Sequence, residues 1–293
     1  MVTFNKNNTF SIIVTYFPKL SEFKKNLTNH KKNFKKIIII NNSPEVSLKH
    51  LKNKDKVIII NNKKNLGLAK ALNIGIKKSI KRGAKMVCLF DQDTQIDDGH
   101  TNKMLLNINA FKFKKETCLY NSLYFNKVTN KYGALINFKF LRLKRSMPNK
   151  SKNYTFVEYA ITSGSFIPIN FFKKIGYMRN KLFIDFIDLD WCLRAKKRGY
   201  KIVIFHNVKL IQHLGSYKID FFGNSYPIHS PRRVYYYFRN SCILYKTKYV
   251  EFNWKLIDIS RNILRIIFYI LIPSSRINYL KNILKGIFHG LKY

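Results

Sequence analysis

An α/β fold with a doubly wound, mostly parallel central sheet is predicted by two features of the first 95 residues: short apolar runs rich in β-branched residues, and helix-like segments between them. The runs are FSIIVTY (10–16), KIIII (36–40), VIII (57–60) and KMVCLF (85–90), and the helical segments lie near 20–31 and 68–82. Runs without polar alternation fit strands covered on both faces. In such sheets ligands bind beyond the carboxyl ends of the strands, so the chemistry belongs just after residues 16, 40, 60 and 90.

Each of those ends is short and polar. Strand one runs into Thr15-Tyr16-Phe17-Pro18, strand two into Asn41-Asn42-Ser43, strand three into Asn61-Asn62 and then NLGLAKALNIGI (65–76), and strand four into Asp91-Gln92-Asp93. Any one of them is explained as a turn. All four along one sheet edge point to a binding site. Asp91 and Asp93 leave a rigid strand on the same side, one residue apart, an arrangement that suits a hard divalent cation held by two carboxylates and substrate phosphates. A second acidic cluster, FIDFIDLDWCLRAKKRGY (183–200), places Asp185, Asp188 and Asp190 before and at the start of a helix that ends near Gly199. Capping explains one of these aspartates or two. A positioned, partly buried carboxylate there is suited to take a proton from an attacking hydroxyl.

The chain has 293 residues, room for one large α/β domain and a short extension. Its formal charge of +40 calls for a polyanionic partner: nucleic acid, anionic lipid or a phosphorylated substrate. Part of that excess is compositional, since Lys and Asn are abundant throughout. The cysteines Cys88, Cys118, Cys192 and Cys242 are scattered, with no C-x-x-C pair, which argues against a zinc site or a disulfide framework. The apolar run after the N-terminus is too short for a signal peptide, and no stretch reaches the roughly 18 apolar residues of a spanning helix. A cytoplasmic protein is expected. Toward the C-terminus, ILRIIFYILIP (263–273) is apolar nearly all round, and Leu280, Ile283, Leu284, Ile287, Phe288 and Leu291 form a helical stripe with Lys281, Lys285 and Lys292 beside it. Such basic amphipathic helices fit the inner face of the cytoplasmic membrane, attracted by anionic lipid. The other reading packs them on the domain or on a second copy in a homo-oligomer.

With VTYFP, IIINNSP, LFDQD, ITSGSFIP (161–168), IQHLGS (211–216) and HSPRRVYYYFRN (229–240), these motifs form an ordered series over roughly residues 10–245. In that series the chain resembles the family 2 glycosyltransferases of the GT-A fold and, within them, the bacterial rhamnosyltransferases. The resemblance implies a nucleotide-sugar-binding part near 1–98 and an acceptor part near 99–250, with 251–293 as a helical extension. It implies nucleoside contacts from Thr15, Tyr16 and Asn41, with Asn65, Gly67 and Lys70 bordering the nucleotide, Gly67 by letting the backbone come close. Asp91 and Asp93 would hold ribose and a Mg²⁺ or Mn²⁺ ion, and His213 would complete the metal site. Asp188 falls at the catalytic aspartate and Asp190 at a supporting one. Ser163 and Gly164 would line the acceptor side, and Arg233, Arg239 and Asn240 would face the diphosphate.

The chain departs from the family at two points. Asn41 stands where an Asp usually reads the base N3–H, a bond that an Asn carbonyl can also accept, and Ile187 precedes Asp188 where an acidic residue is common. The implied activity is inverting transfer of L-rhamnose from dTDP-rhamnose to a hydroxyl of a lipid-linked surface glycan, of O-antigen or capsule type. The same fold with a UDP-hexose donor is the alternative. A nucleic-acid-binding protein, suggested by Tyr235-Tyr236-Tyr237 beside Arg232, Arg233 and Arg239, leaves the acidic clusters unexplained; no nucleic-acid partner is expected.

Overall fold

A computed structural model describes residues 2–52, 55–127, 130–139, 142–149, 151–212, 218–221, 224–271 and 275–293. In chain order the elements are β1 (Thr9–Thr15), α1 (Leu20–Asn33), β2 (Lys36–Asn41), β3 (Val57–Asn61), α2 (Leu68–Lys81), β4 (Met86–Asp91), β5 (Gln95–Ile96) and α3 (His100–Ala110). Then come β6 (Thr117–Asn126), β7 (Lys131–Tyr132), β8 (Leu135–Lys139), β9 (Arg142–Ser146), β10 (Tyr154–Val157), β11 (Ser165–Pro168), α4 (Asn170–Ile175) and α5 (Ile187–Lys197). The last are β12 (Lys201–Gln212), β13 (Lys218–Phe221), β14 (Asn224–Pro227), α6 (Pro231–Tyr245), α7 (Phe252–Leu271) and α8 (Arg276–Lys292).

The main sheet has the order β10-β12-β6-β11-β4-β1-β2-β3, with β5 added to β12 and β7 to β6. Along that path β3, β2, β1, β4, β6 and β12 run one way, while β11 and β10 run the other. The mostly parallel, doubly wound sheet expected from the sequence is therefore present. The isoleucine runs show why. On β1 and β2, Ile12, Val14, Ile38 and Ile40 enter one buried cluster, and Ile13, Ile37 and Ile39 enter another. Helix α2 covers the first face through Ala69, Leu72 and Ile76, and α1 covers the second through Phe23 and Leu27, so neither face of these strands can be polar.

The C-terminal helices form a layer of their own. Val234 and Phe238 of α6 pack with Tyr269 of α7 and with Tyr279 and Ile283 of α8. The expected stripe on α8 is divided: Ile283 is buried against α6, whereas Leu280, Leu284, Phe288 and Leu291 are exposed. Helix α7 reaches back to Phe252, well before the apolar segment seen in the sequence. No helix among the described residues is long and apolar enough to cross a membrane.

Candidate active site

Parallel register brings the polar strand ends into one row: Thr15 lies opposite Asn41, Asn41 opposite Asn61, and Val14 opposite Asp91. The row is laced by amides. Asn41 Nδ2 donates to the Val46 carbonyl at 2.8 Å and to Asn61 Oδ1 at 3.1 Å, while its Oδ1 accepts from Ser43 N–H at 3.1 Å and from the Thr15 hydroxyl at 3.4 Å. Asn62 Nδ2 donates to Asn42 Oδ1 at 2.7 Å, and Asn42 Nδ2 donates to the Gly67 carbonyl at 3.3 Å. The Asn41 carbonyl, the expected acceptor for the base N3–H, is directed into this row. Asn41 is 1% exposed, and both lone pairs of its carbonyl are already used inside the fold. Thr15 is likewise fully buried, a support for this row rather than a surface for the nucleoside.

Beside the row, Tyr16 is exposed, and its backbone is gripped by Gln92, whose Oε1 accepts from Tyr16 N–H at 2.7 Å and whose Nε2 donates to the Tyr16 carbonyl at 3.2 Å. The middle residue of the D-x-D motif is thus structural: it ties the end of β4 to the end of β1. Asn65 Oδ1 accepts from Gly67 N–H at 2.9 Å in a tight turn, and Lys70 stands exposed on the first turn of α2. Gly67 has φ +80, and a Cβ there would lie 2.5 Å from the Phe183 ring and 2.8 Å from its carbonyl oxygen. A close approach that requires glycine is therefore made to the acidic loop.

Asp91 and Asp93 sit at the end of β4 with Asp188 and Arg233 near them. The Asp91 carboxyl is pushed up to about 7, first by burial and then by the Asp93 and Asp188 carboxylates, with Arg233 opposing. Gln212, the last residue of β12, donates Nε2 to Asp91 Oδ2 at 3.5 Å, and its buried Oε1 has no hydrogen-bond partner among the described residues. Mutually repelling carboxylates beside an orphaned amide oxygen fit a hard cation completed by diphosphate oxygens. Among the described residues no three His, Cys, Asp or Glu side chains converge on one point, and His213 lies outside the described residues. Ser163 and Gly164 lie beneath this floor rather than on an acceptor face. Ser163, 1% exposed, accepts from Asp91 N–H at 3.3 Å and bonds the Thr94 hydroxyl, and Gly164 packs where a Cβ would meet Leu210 at 2.2 Å.

The acidic loop separates its three aspartates by role. Phe183, Asp185 and Phe186 hold φ of 62°, 62° and 61°, left-handed values that such residues keep only where the surroundings over-determine them. Asp188 is half-buried at the start of α5, and its Oδ1 accepts from Leu189 N–H at 2.8 Å. Its carboxyl is raised to about 6 by burial; the Leu189 and Thr162 backbone amides oppose that rise and Asp185 adds to it. Asp190 is fully buried, with Arg179 Nε at 3.3 Å, Arg194 Nε at 2.9 Å and the Tyr249 hydroxyl also bonded to it. It anchors α5 to the residues before it, since Arg194 also donates to the Ile175 and Tyr177 carbonyls at 2.8 and 2.9 Å. Asp190 supports the site from below and has no access to a substrate.

Helix α6 answers the loop. Arg233 makes a two-pronged pair with Asp185, Nη2 to Oδ1 at 2.8 Å and Nε to Oδ2 at 3.0 Å, a geometry that guanidinium and carboxylate share. Arg239 and Asn240, expected at the diphosphate, hold the acidic loop in this structure. Arg239 donates to the Lys181 carbonyl and to Asn240 Oδ1, and Asn240 Nδ2 donates to the Leu182 and Ile184 carbonyls at 2.7 Å each and to that of Asp185 at 3.2 Å. The tyrosines are occupied as well. Tyr236 stacks on Phe183 at 4.5 Å between ring centroids, and Tyr237 packs on Phe186 at 4.7 Å. Sequence reasoning missed Gln92, Gln212 and the pairing of Asp185 with Arg233; only the shortage of acidic residues in so basic a chain hinted at the last.

Comparison with known proteins bears on the family and the fold. The chain is 26% identical over 288 residues to a dTDP-rhamnosyl transferase, RfbF, of Shigella flexneri, covering 98% of this chain and 96% of that protein. It is 21% identical to the low-salt glycan biosynthesis hexosyltransferase Agl10 of Haloferax volcanii, covering 96% and 90%. Among solved structures, GalNAc-T7 with UDP, GalNAc and Mn²⁺ superposes with a TM-score of 0.58 at 16% identity, over 87% of this chain and 54% of that one. TarS of S. aureus in complex with UDP-GlcNAc gives 0.56 at 12% identity, over 96% and 81%. These two share the GT-A fold. The model of the family described as Glycosyl transferase family 2 matches residues 11–174, from β1 through α4, and the chain belongs to that family of nucleotide-sugar glycosyltransferases.

Proposed function

We propose that the protein is an inverting, metal-dependent rhamnosyltransferase that moves L-rhamnose from dTDP-rhamnose to a hydroxyl of a membrane-linked surface glycan. The observation that carries this is the Asp91 carboxyl at the end of β4, raised by burial and by the nearby Asp93 and Asp188 carboxylates, with Arg233 opposing. The acceptor hydroxyl gives its proton to Asp188 as its oxygen attacks the anomeric carbon from the face opposite the diphosphate. The bond from that carbon to the diphosphate oxygen breaks, and the nucleoside diphosphate leaves. A divalent cation held by Asp91 and Asp93, with Gln212 beside them and His213 next in sequence, would supply Lewis-acid stabilisation of the leaving group. Residues 1–250 form the catalytic domain in this reading, and 251–293 the extension. The donor assignment follows the similarity to the Shigella enzyme. The UDP complexes of the two structural relatives favour the second reading, a UDP-hexose donor. The test is a panel of purified dTDP- and UDP-sugars with Mg²⁺, Mn²⁺ or EDTA: turnover of dTDP-rhamnose only with metal is expected, and turnover of a UDP-sugar alone would replace the donor.

The membrane part of the reading rests on α7, which is inside out. Its buried residues are Trp254, Asp258, Asn262 and Tyr269, while Ile259, Ile263, Leu264, Ile267 and Leu271 are exposed. Asp258 accepts from the Tyr245 hydroxyl at 2.8 Å, so the polar face is used inside the protein. With Leu284, Phe288 and Leu291 of α8 outward too, and a chain charge of +40, the matching occupant is an anionic lipid surface on the cytoplasmic side. Co-sedimentation with anionic vesicles should fall with salt and fall further in Ile263→Ser/Leu264→Ser. A salt-stable dimer without vesicle binding would assign this face to a second copy instead.

A further inference from the structure

Helix α8 does more than offer an apolar face, because it lies directly on the backbone of α6, the helix whose Arg239 and Asn240 hold the acidic loop. A Cβ at Gly286 would stand 2.5 Å from the Tyr235 carbonyl oxygen and 3.3 Å from Arg239 N, and one at Gly290 would stand 2.5 Å from the Arg239 carbonyl oxygen and 2.6 Å from Cys242 Cβ. The helices touch backbone to backbone there, and only glycine permits it. The contact is fixed by the Tyr235 hydroxyl and His289 Nδ1 at 2.8 Å and by the bond from Lys246 Nζ to the Leu291 carbonyl. Arg239, whose backbone meets both glycines, and its neighbour Asn240 hold the carbonyls of Lys181, Leu182, Ile184 and Asp185. Lys181 also lies over the Tyr293 ring at 4.5 Å, a direct link from the loop to the residue after α8.

The loop so held carries three left-handed non-glycine residues. A conformation of that kind relaxes when its surroundings loosen. We propose that α8 is a brace for the acidic loop, with Gly286 and Gly290 as positioning residues for sugar transfer that act through Arg239 and Asn240 on the loop leading to Asp188. This rests on the reading of Asp188 as the base. A packed core passes a displacement on rather than absorbing it. A side chain that lifts α8 from α6 therefore shifts the carbonyl clamp on the loop, and a shift of about 1 Å at a reacting group lowers the rate by about 10²-fold.

The test uses full-length Gly290→Ala and, as a variant that inserts no atom between the helices, Tyr235→Phe. Amide hydrogen exchange and transfer kinetics are measured together. Gly290→Ala should speed exchange of residues 181–189 by about tenfold while β1 and β4 exchange at the wild-type rate, a local opening rather than a global one. Its kcat should fall by about 10- to 100-fold with donor KM within about threefold, the pattern of lost transition-state positioning. Tyr235→Phe should show the same localised change at smaller size. Wild-type exchange and wild-type kcat in both variants would overturn the brace, as would equal acceleration across β1, β4 and the loop. Loop-confined acceleration in a protein that turns over no nucleotide sugar would support the brace and remove the transferase reading alone.

Discussion

Asp188→Asn is expected to lower kcat by at least about 10²-fold, the low end of a general-base contribution, with donor KM nearly unchanged. The pH dependence identifies the same group. With its carboxyl raised to about 6, Asp188 works as a base only when ionised, so at metal concentrations that keep Asp91 ionised wild-type activity should fall as pH drops through about 6, and the Asn variant should lose that limb. The stability effect has the opposite sign. A folded-state value above the unfolded one favours the protonated group, so that contribution is complete at low pH and lost as pH rises through about 6. Near pH 7.5, Asn at this position should therefore stabilise the fold by on the order of 1 kcal/mol. Asp190→Asn should do the reverse. It leaves Arg179 and Arg194 short of their carboxylate and should destabilise by about 3 kcal/mol. A stable but inactive Asp190→Asn beside a normal Asp188→Asn would transfer the role of base to Asp190.

Asp93→Ala should remove transfer by about three orders of magnitude, the several kcal/mol that a metal supplies to a leaving diphosphate, while the melting temperature stays close to wild type. Two measurements check it: transfer rate against metal concentration, and calorimetric binding of Mn²⁺ in the presence of the nucleoside diphosphate. Mn²⁺ binding should be lost with the carboxylate. Undiminished transfer by Asp93→Ala in EDTA would end the metal assignment.

The central sheet was legible because Ile37 to Ile40 and Ile12 to Val14 face two buried clusters, which demands unbroken apolar runs. The positions of Asp91, Asp93 and Asp188 were legible for a similar reason: a strand end and a helix start are local features. What the sequence could not sort is which polar groups are already satisfied. Asn41 reads as a free amide until Val46, Asn61, Ser43 and Thr15 are seen around it. That Arg239 and Asn240 hold the loop was not legible, because most of their partners are backbone carbonyls, which no side-chain pattern records. Asp188 and Asp190 differ only in their distant partners. The amphipathic faces of α7 were harder to read in its first half, because its inward face there includes Asp258 and Asn262, the inverse of the usual pattern.

The proposed reaction is one in-line displacement with Asp188 as base and no covalent sugar on the protein. The most direct test is the anomeric configuration of the product formed from dTDP-rhamnose and a water-soluble acceptor, read by NMR before any later exchange. Inversion relative to the donor is the predicted result. Retention would require two displacements or a different attacking group, and it would contradict the role given to Asp188.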